Sequence, residues 1–295
     1  MKVGYVGGER IGAAVMGRLA RAHEVIALTG SDAGSSVWAG NRLAVRDCDA
    51  IIVSLASHDE VRDALLGSGG IAKELGKGKV VIDQTPSDPD QARILAKELL
   101  SQGVVVLDAP IHCENVDAMP EGAAIMCGGP SDAFDAMRPL LESICPKVIY
   151  CGESGNGQAA RLVVGAVAAC NRLITYECAS VGVKNGLAIE HMATVLNKSS
   201  GYNSASARVL PVLAAGGRTT DTSLETVADE LKLASRMAMR CGAPLLVANV
   251  AASMYEGAAK ALGGKATLDD MSRIFEVSAG VDFENRGSTQ ARNKG

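Results

Sequence analysis

The sequence predicts an α/β half built on a mostly parallel sheet, followed by an all-α half. Three observations carry that expectation. Residues 3–12, VGYVGGERIG, read as an apolar strand that turns on glycines straight into a helix. From there to residue 150, apolar strand-length runs alternate with helical stretches, the pattern of a parallel sheet with helices on both faces. After Gly157 strand signals stop and only helical periodicity remains.

Taken in order, the strands are expected at Lys2–Val6, Glu24–Leu28, Ala50–Leu55, Lys79–Ile82, Val104–Leu107, Ala123–Cys127 and Lys147–Tyr150. Helices are expected between most of them, including Ala13–Ala22, Glu60–Leu66 and Asp90–Gln102, and the last two strands are expected to run antiparallel at the sheet edge. The link 29–49, which contains Trp38, Gly40 and Asn41, is too short for an ordinary helix, so a shortened element is expected there. In the second half, Gln158 to Lys184 carries apolar residues at helical spacing, and further helices are expected near 189–197, 205–214, 222–241, 244–262 and 267–278. Thr222 with Glu225 and Thr267 with Asp270 read as capping boxes; Gly242 and Gly280 read as helix stops. Residues 281–295 are polar and expected to be loose. The boundary falls in CGESGNG, 151–157, which divides the chain into 1–155 and 156–295.

Composition narrows the function classes. The chain has 295 residues, enough for two domains of about 150 each. It is 47% hydrophobic but 3% aromatic, with 33 glycines, so small apolar residues dominate. The net charge is −4 and no long basic run exists, which argues against nucleic acid and anionic membrane as partners. Eight cysteines without a C-x-x-C pair read as reduced, buried thiols of a cytoplasmic protein. The first strand begins at residue 2, leaving no room for a signal peptide, and the apolar helix near 162–183 contains Arg172 and Glu177, so it reads as a core helix rather than a membrane span.

The opening turn is close to the dinucleotide-binding fingerprint G-x-G-x-x-G. Gly7 and Gly12 are in place, but Glu9 replaces the middle glycine, which lets a pyrophosphate approach the backbone at the helix N-terminus. Like charges about 4 Å apart cost about 4 kcal/mol at an effective dielectric near 20. Arg10 follows directly, and its guanidinium offsets that cost if it reaches the phosphates.

Several motifs in order resemble the β-hydroxyacid dehydrogenase family, which includes 3-hydroxyisobutyrate and 6-phosphogluconate dehydrogenases. Gly7-Gly-Glu-Arg-Ile-Gly12 is similar to its G-L-G-x-M-G, and Asp108-Ala-Pro-Ile-His-Cys-Glu114 to its substrate motif D-A-P-V-S-G-G. Ile125-Met-Cys-Gly-Gly129 fits the following strand, Gly155-Asn-Gly-Gln-Ala-Ala-Arg161 resembles G-A-G-Q-A-A-K, and Asn197-Lys-Ser-Ser-Gly201 resembles a substrate-side loop. The resemblance implies a Rossmann-like domain, a long interdomain helix, a helical domain that forms a homodimer or higher homo-oligomer, and hydride exchange between NAD or NADP and a small hydroxyacid. It implies a cofactor side at Gly7, Glu9, Arg10, Ile11, Gly12, Thr29, Ser54, Leu55 and Thr85, and a substrate side at Asp108, Ile111, Cys113, Glu114, Ser199, Ser200 and Asp229.

The chain departs from the family at the chemistry. The catalytic lysine becomes Arg161, the asparagine four residues on becomes Gly165, the substrate-contacting serine becomes His112, and a C-terminal lysine becomes Asp229. Arginine stays charged and makes a poor proton donor, but it is a two-pronged carboxylate clamp. Imidazole titrates near neutral pH, so a dehydrogenase remains possible in which Arg161 holds the acid and His112 moves the proton. Plainer readings stand beside these: Arg161 as a structural cation at a helix start, His112 as a loop residue bonded to backbone, Asp83 as a cap of the next turn and Thr85 as a turn residue. Cys113 between His112 and Glu114 does not make a metal site, because three adjacent residues do not converge on one ion. Thr29-Gly30-Ser31 offers neither the acid of NAD sites nor the arginine of NADP sites. Three functions follow in order: an NAD(P)-dependent oxidoreductase, a non-redox enzyme with His112 as acid or base, and a catalytically silent binding protein.

Overall fold

The computed structural model describes residues 1–8, 10–28, 42–113 and 122–283. The chain forms two compact units, Met1–Arg161 and Leu162–Gly295. The division lies inside a helix that starts at Asn156, six residues beyond the expected boundary, because the first turn of that helix is bonded to strand ends of the first unit.

In the first unit β1 (Lys2–Gly7), β2 (Glu24–Ala27), β3 (Ala50–Ser54), β4 (Val80–Asp83) and β5 (Val105–Asp108) form a parallel sheet in the order β2-β1-β3-β4-β5. β3 and β4 are buried throughout, as strands covered on both faces must be, whereas the edge strand β2 is partly exposed. Helices α1 (Arg10–Leu19), α2 (His58–Leu66), α3 (Pro89–Leu100) and α4 (Ser131–Ile144) supply the cover. Tyr5, Ile52, Ile82 and Leu107 pack with Val15, Leu19, Leu140 and Leu141 on one face. Their strand neighbours Val6, Val53, Val81 and Val106 pack with Val61, Leu65, Leu95 and Leu99 on the other, the period-two alternation of a strand. Ser57 caps α2 by accepting from Glu60 N, and Asp88 caps α3 by accepting from Asp90 N at 2.9 Å. In the link before β3 the described residues form one 3-10 segment, Arg42–Asp47, in place of an α-helix.

One strand was not expected. β6 (Ile111–Cys113) joins β7 (Ala123–Cys127) and β8 (Val148–Tyr150) in a second sheet, ordered β6-β7-β8. The expected antiparallel pairing of the last two strands is corrected: β7 and β8 are parallel to each other, and the antiparallel pairs are β6–β7 and the bridge Asp108–Gly128. Helix α4 lies between β7 and β8, and such a crossover returns the chain in the same direction.

The helical part begins with α5 (Asn156–Lys184) and continues with α6 (Ile189–Asn197), α7 (Leu210–Ala214), α8 (Leu224–Cys241), α9 (Leu246–Leu262) and α10 (Ser272–Ala279). Its core gathers Tyr176, Leu210, Leu224, Leu231, Tyr255, Met271 and Phe275. Residues Ala205–Val209 are π-helical rather than α-helical, next to Pro211, which has no N–H to donate. The Thr267–Asp270 capping box is present, with Thr267 N donating to Asp270 Oδ2 at 2.8 Å. The expected box at Thr222 and Glu225 is corrected to a single cap: Ser223, not Thr222, accepts from Thr226 N at 3.0 Å, while Thr222 C=O accepts from Leu268 N. Gly242 and Gly280 end α8 and α10 at φ of 71° and 62°. Phe283 is buried and its N–H donates to Glu276 Oε1, so the segment expected to be loose from 281 is anchored at its start.

α5 is long and apolar enough to cross a membrane by length and composition, yet 44% of its most apolar window is buried in the protein. Its Arg172 forms a buried ion pair with Asp269 at 2.8 Å, and Asp269 also accepts from Thr219 N and Thr220 N. It is a core helix along one face only: Val163, Val167, Ile174 and Val181 on the other face are at least half exposed. All eight cysteines are free; Cys48, Cys127 and Cys145 are buried, but Cys178 and Cys241 are exposed, which corrects the expectation for those two.

Candidate functional site

The carboxyl ends of β1, β3, β4 and β5 form one row, since Gly7 pairs with Ser54 and Asp83 with Asp108. Open α/β sheets bind ligands along that row. At Gly7 a Cβ would lie 2.3 Å from the Ser54 carbonyl oxygen, so only glycine lets β1 turn here; Gly8 faces open space. The chain enters α1 at Arg10, whose backbone begins a helix that has no acidic residue among its first-turn residues.

The turn after β4 is closely tied. Thr85 N donates to Asp83 Oδ1 at 2.9 Å, and Thr85 Oγ1 accepts from Leu55 N at 3.0 Å. Thr85 is fully buried. Burial pushes the Asp83 carboxyl up to about 7, with Thr85 bonds opposing and the Asp108 charge adding to the shift. Across the strands Asp108 is raised by burial, although Gly155 N at 2.7 Å and Gln158 N at 3.0 Å donate to its two oxygens. Asp108 therefore acts on the site by holding the start of α5. Gly155 makes this approach with φ of 85°, and at Gly157 a Cβ would sit 2.4 Å from the Asp108 carbonyl oxygen.

Gln158 joins the turn to Arg161. Its Oε1 accepts from Ser87 N at 3.0 Å and from Arg161 Nε at 3.3 Å, and its Nε2 donates to Thr85 C=O at 2.7 Å. Arg161 is 3% exposed, on the second turn of α5, and its Nε donates to the Gln158 side chain. The structure thus brings Leu55, Thr85, Asp108 and Arg161 together with Asp83, Ser87 and Gln158. Ser54 is buried one residue before Leu55, Gly12 lies close to the Tyr5 hydroxyl, and Ile11 is half-buried on α1.

The remaining residues lie on other elements or outside the described residues. Ile111 is buried in the core, and His112 and Cys113 are half-buried on β6 opposite Ala124 and Ala123. In the second unit Ser199 and Ser200 are exposed after α6, and exposed Asp229 accepts from Lys232 Nζ at 3.2 Å. The expectations for Glu9, Thr29 and Glu114, and for the side chain of Arg10, lie outside the described residues. Among the described residues no group of three His, Cys, Asp or Glu is placed to hold a metal ion.

The row fits a phosphate-bearing dinucleotide. A glycine-lined turn opens α1, and after β4 the Gln84 amide and the Ser87 hydroxyl are buried without a hydrogen-bond partner among the described residues. Such groups cost about 1–3 kcal/mol unless a ligand or water meets them. Ser87, Gln84 and Gln158 were missed in the sequence; Gln158 stands inside the quoted Gly155–Arg161 motif, which was the available signal.

Comparison with known proteins agrees with this geometry. Residues 9–152 match the family model described as the NAD binding domain of 6-phosphogluconate dehydrogenase. Residues 155–276 match that of the NAD-binding domain of NADP-dependent 3-hydroxyisobutyrate dehydrogenase. The human mitochondrial 3-hydroxyisobutyrate dehydrogenase is 31% identical over 231 residues, covering 76% of this chain and 69% of that protein. The 2-(hydroxymethyl)glutarate dehydrogenase of Eubacterium barkeri is 26% identical over 250 residues, 84% and 83% of the two chains. Among solved structures, the Mycobacterium tuberculosis 3-hydroxyisobutyrate dehydrogenase with L-serine superposes with a TM-score of 0.79 at 22% identity, covering 92% of this chain and 98% of that one.

Proposed function

This chain belongs to the β-hydroxyacid dehydrogenase family of NAD(P)-binding oxidoreductases, and from that premise we propose that it oxidises a small hydroxyacid, or reduces the related carbonyl compound, through an altered active site. The observation that carries the reading is the buried guanidinium of Arg161, its plane held by Gln158 beside the strand ends. A buried guanidinium clamps a carboxylate with two charge-assisted hydrogen bonds, and it does not release a proton at any working pH. Arg161 therefore binds and orients the acid, and a different group moves the proton. His112, half-buried on β6, takes the hydroxyl proton on a ring nitrogen as the alcohol is oxidised and returns it in reduction. The nicotinamide ring, when bound, exchanges the hydride. The turns at Gly7 and Thr85 hold the dinucleotide.

The experiment is steady-state oxidation of a hydroxyacid panel with NAD and NADP by wild type and Arg161→Met. Losing two charge-assisted bonds of at least about 1.5 kcal/mol each lowers kcat/KM about 150-fold or more, while dinucleotide affinity stays within about twofold. An unchanged kcat/KM in Arg161→Met refutes the clamp.

We further propose that the chain self-associates through its second unit, in a reducing cytoplasmic setting that eight free cysteines support. Val163 and Val167 on α5 and Leu246 and Val247 on α9 border an apolar groove of about 650 Å³ that also takes in Met237. These exposed apolar side chains form one face that contact with a second copy would cover.

A further inference from the structure

Gln158 has no chemistry of its own to contribute, yet three of the site's hydrogen bonds converge on its side chain. Its side chain is fully buried, so water replaces none of them. The amide has one permitted orientation: Oε1 faces two donors, Ser87 N–H and Arg161 Nε–H, and Nε2 faces one acceptor, Thr85 C=O. Flipping it would set its NH2 against both donors. Its own N–H is tied to Asp108 Oδ2 at 3.0 Å, which removes any slack in its backbone. Thr85 in turn holds Leu55 N, so a chain of hydrogen bonds, part-buried at Leu55 and buried beyond it, runs from the end of β3 through the turn to Arg161. We propose that Gln158 is a positioning residue that links the dinucleotide-side turn to the acid-holding guanidinium, so that each ligand tightens the binding of the other. The inference rests on the reading of Arg161 as the carboxylate clamp.

The physical reason is shared order. A ligand that contacts the Thr85–Ser87 turn restricts Ser87 N and Thr85 C=O, and through the amide it restricts the plane of the guanidinium. An acid that later binds Arg161 then meets a group already held, and linkage makes the effect equal in the other direction.

The test measures NADH and NADPH dissociation constants by nucleotide fluorescence, with and without saturating 3-hydroxyisobutyrate, glycerate or tartronate. A reduced nucleotide with a hydroxyacid cannot turn over, so the readout is binding alone. In wild type at least one acid lowers the nucleotide dissociation constant by about fivefold or more, within the usual range for coupled sites. Gln158→Met keeps the side-chain volume and loses all three bonds; it still binds nucleotide, but the acid changes its affinity less than about twofold. A folded Gln158→Met with wild-type coupling overturns the proposal, as does a wild type that binds nucleotide with one affinity whatever the acid. A wild type that binds neither nucleotide removes the functional reading itself, and the linkage with it. Should Gln158→Met fail to fold, amide exchange in the wild type decides: acid binding alone slows exchange of the Ser87 N–H, and an unchanged rate at that amide overturns the linkage.

Discussion

Asp83 ties the stability of the first unit to pH in a direction opposite to that of an ordinary paired carboxylate. It is 1% exposed at the end of β4, with Asp108 directly across on β5. Burial raises its carboxyl from 3.8 to about 7, against the opposing bonds from Thr85. Between those values the folded chain holds a proton that the unfolded chain releases. Stability from this group is therefore fully present below pH 4 and is lost as pH rises through about 7. About three pH units at about 1.4 kcal/mol each give a loss on the order of 4 kcal/mol. Asp83→Asn keeps a carbonyl acceptor for Thr85 N and never ionises. Urea unfolding, followed by circular dichroism, compares the two proteins at pH 4.5, 6 and 8. The variant matches wild type within about 1 kcal/mol at pH 4.5 and exceeds it at pH 8 by up to about 4 kcal/mol. A difference that does not change with pH, or one that grows against the variant as pH rises, refutes the buried-acid argument.

Two further outcomes follow from packing. Gly7→Ala places a Cβ 2.3 Å from a backbone oxygen and destabilises the protein by about 1–3 kcal/mol, with weakened NADPH binding; Gly8→Ala, which meets nothing within 4 Å, stays within about 0.5 kcal/mol in the same urea titration. Val167→Glu puts a charge on the exposed apolar face of α5, and sedimentation detects a dimer at least about 30-fold weaker, as about 2 kcal/mol for a buried unpaired charge requires. A wild type that sediments as a monomer at every accessible concentration removes that surface from the account.

The regular elements were legible because their signals are local. The continuous apolar runs at 2–7, 50–54 and 80–83 and the helical period of α6 appear within short windows of sequence. β6 was not, since three residues directly after Pro110 carry no periodicity. The cap of α8 was misplaced by one residue because Thr222 and Ser223 are chemically alike, and a contact with residues 266–268 chooses between them. The site divides in the same way. Thr85, Asp108 and Arg161 stand in motifs legible in the sequence, but the bonds that Thr85 and Asp108 make to neighbouring backbone were not. Gln158 and Ser87 meet across 71 positions, and Arg172 and Asp269 across 97; no local pattern encodes such a bond.

The most direct test of the account is equilibrium binding of NADH and NADPH to the intact chain by nucleotide fluorescence, read together with thermal stability. The account predicts saturable binding of at least one nucleotide, with a stability gain of about 2.7 kcal/mol at 100 times the dissociation constant, and loss of both effects in Gly7→Ala. A folded wild-type protein whose stability and fluorescence ignore both nucleotides up to millimolar concentration contradicts it.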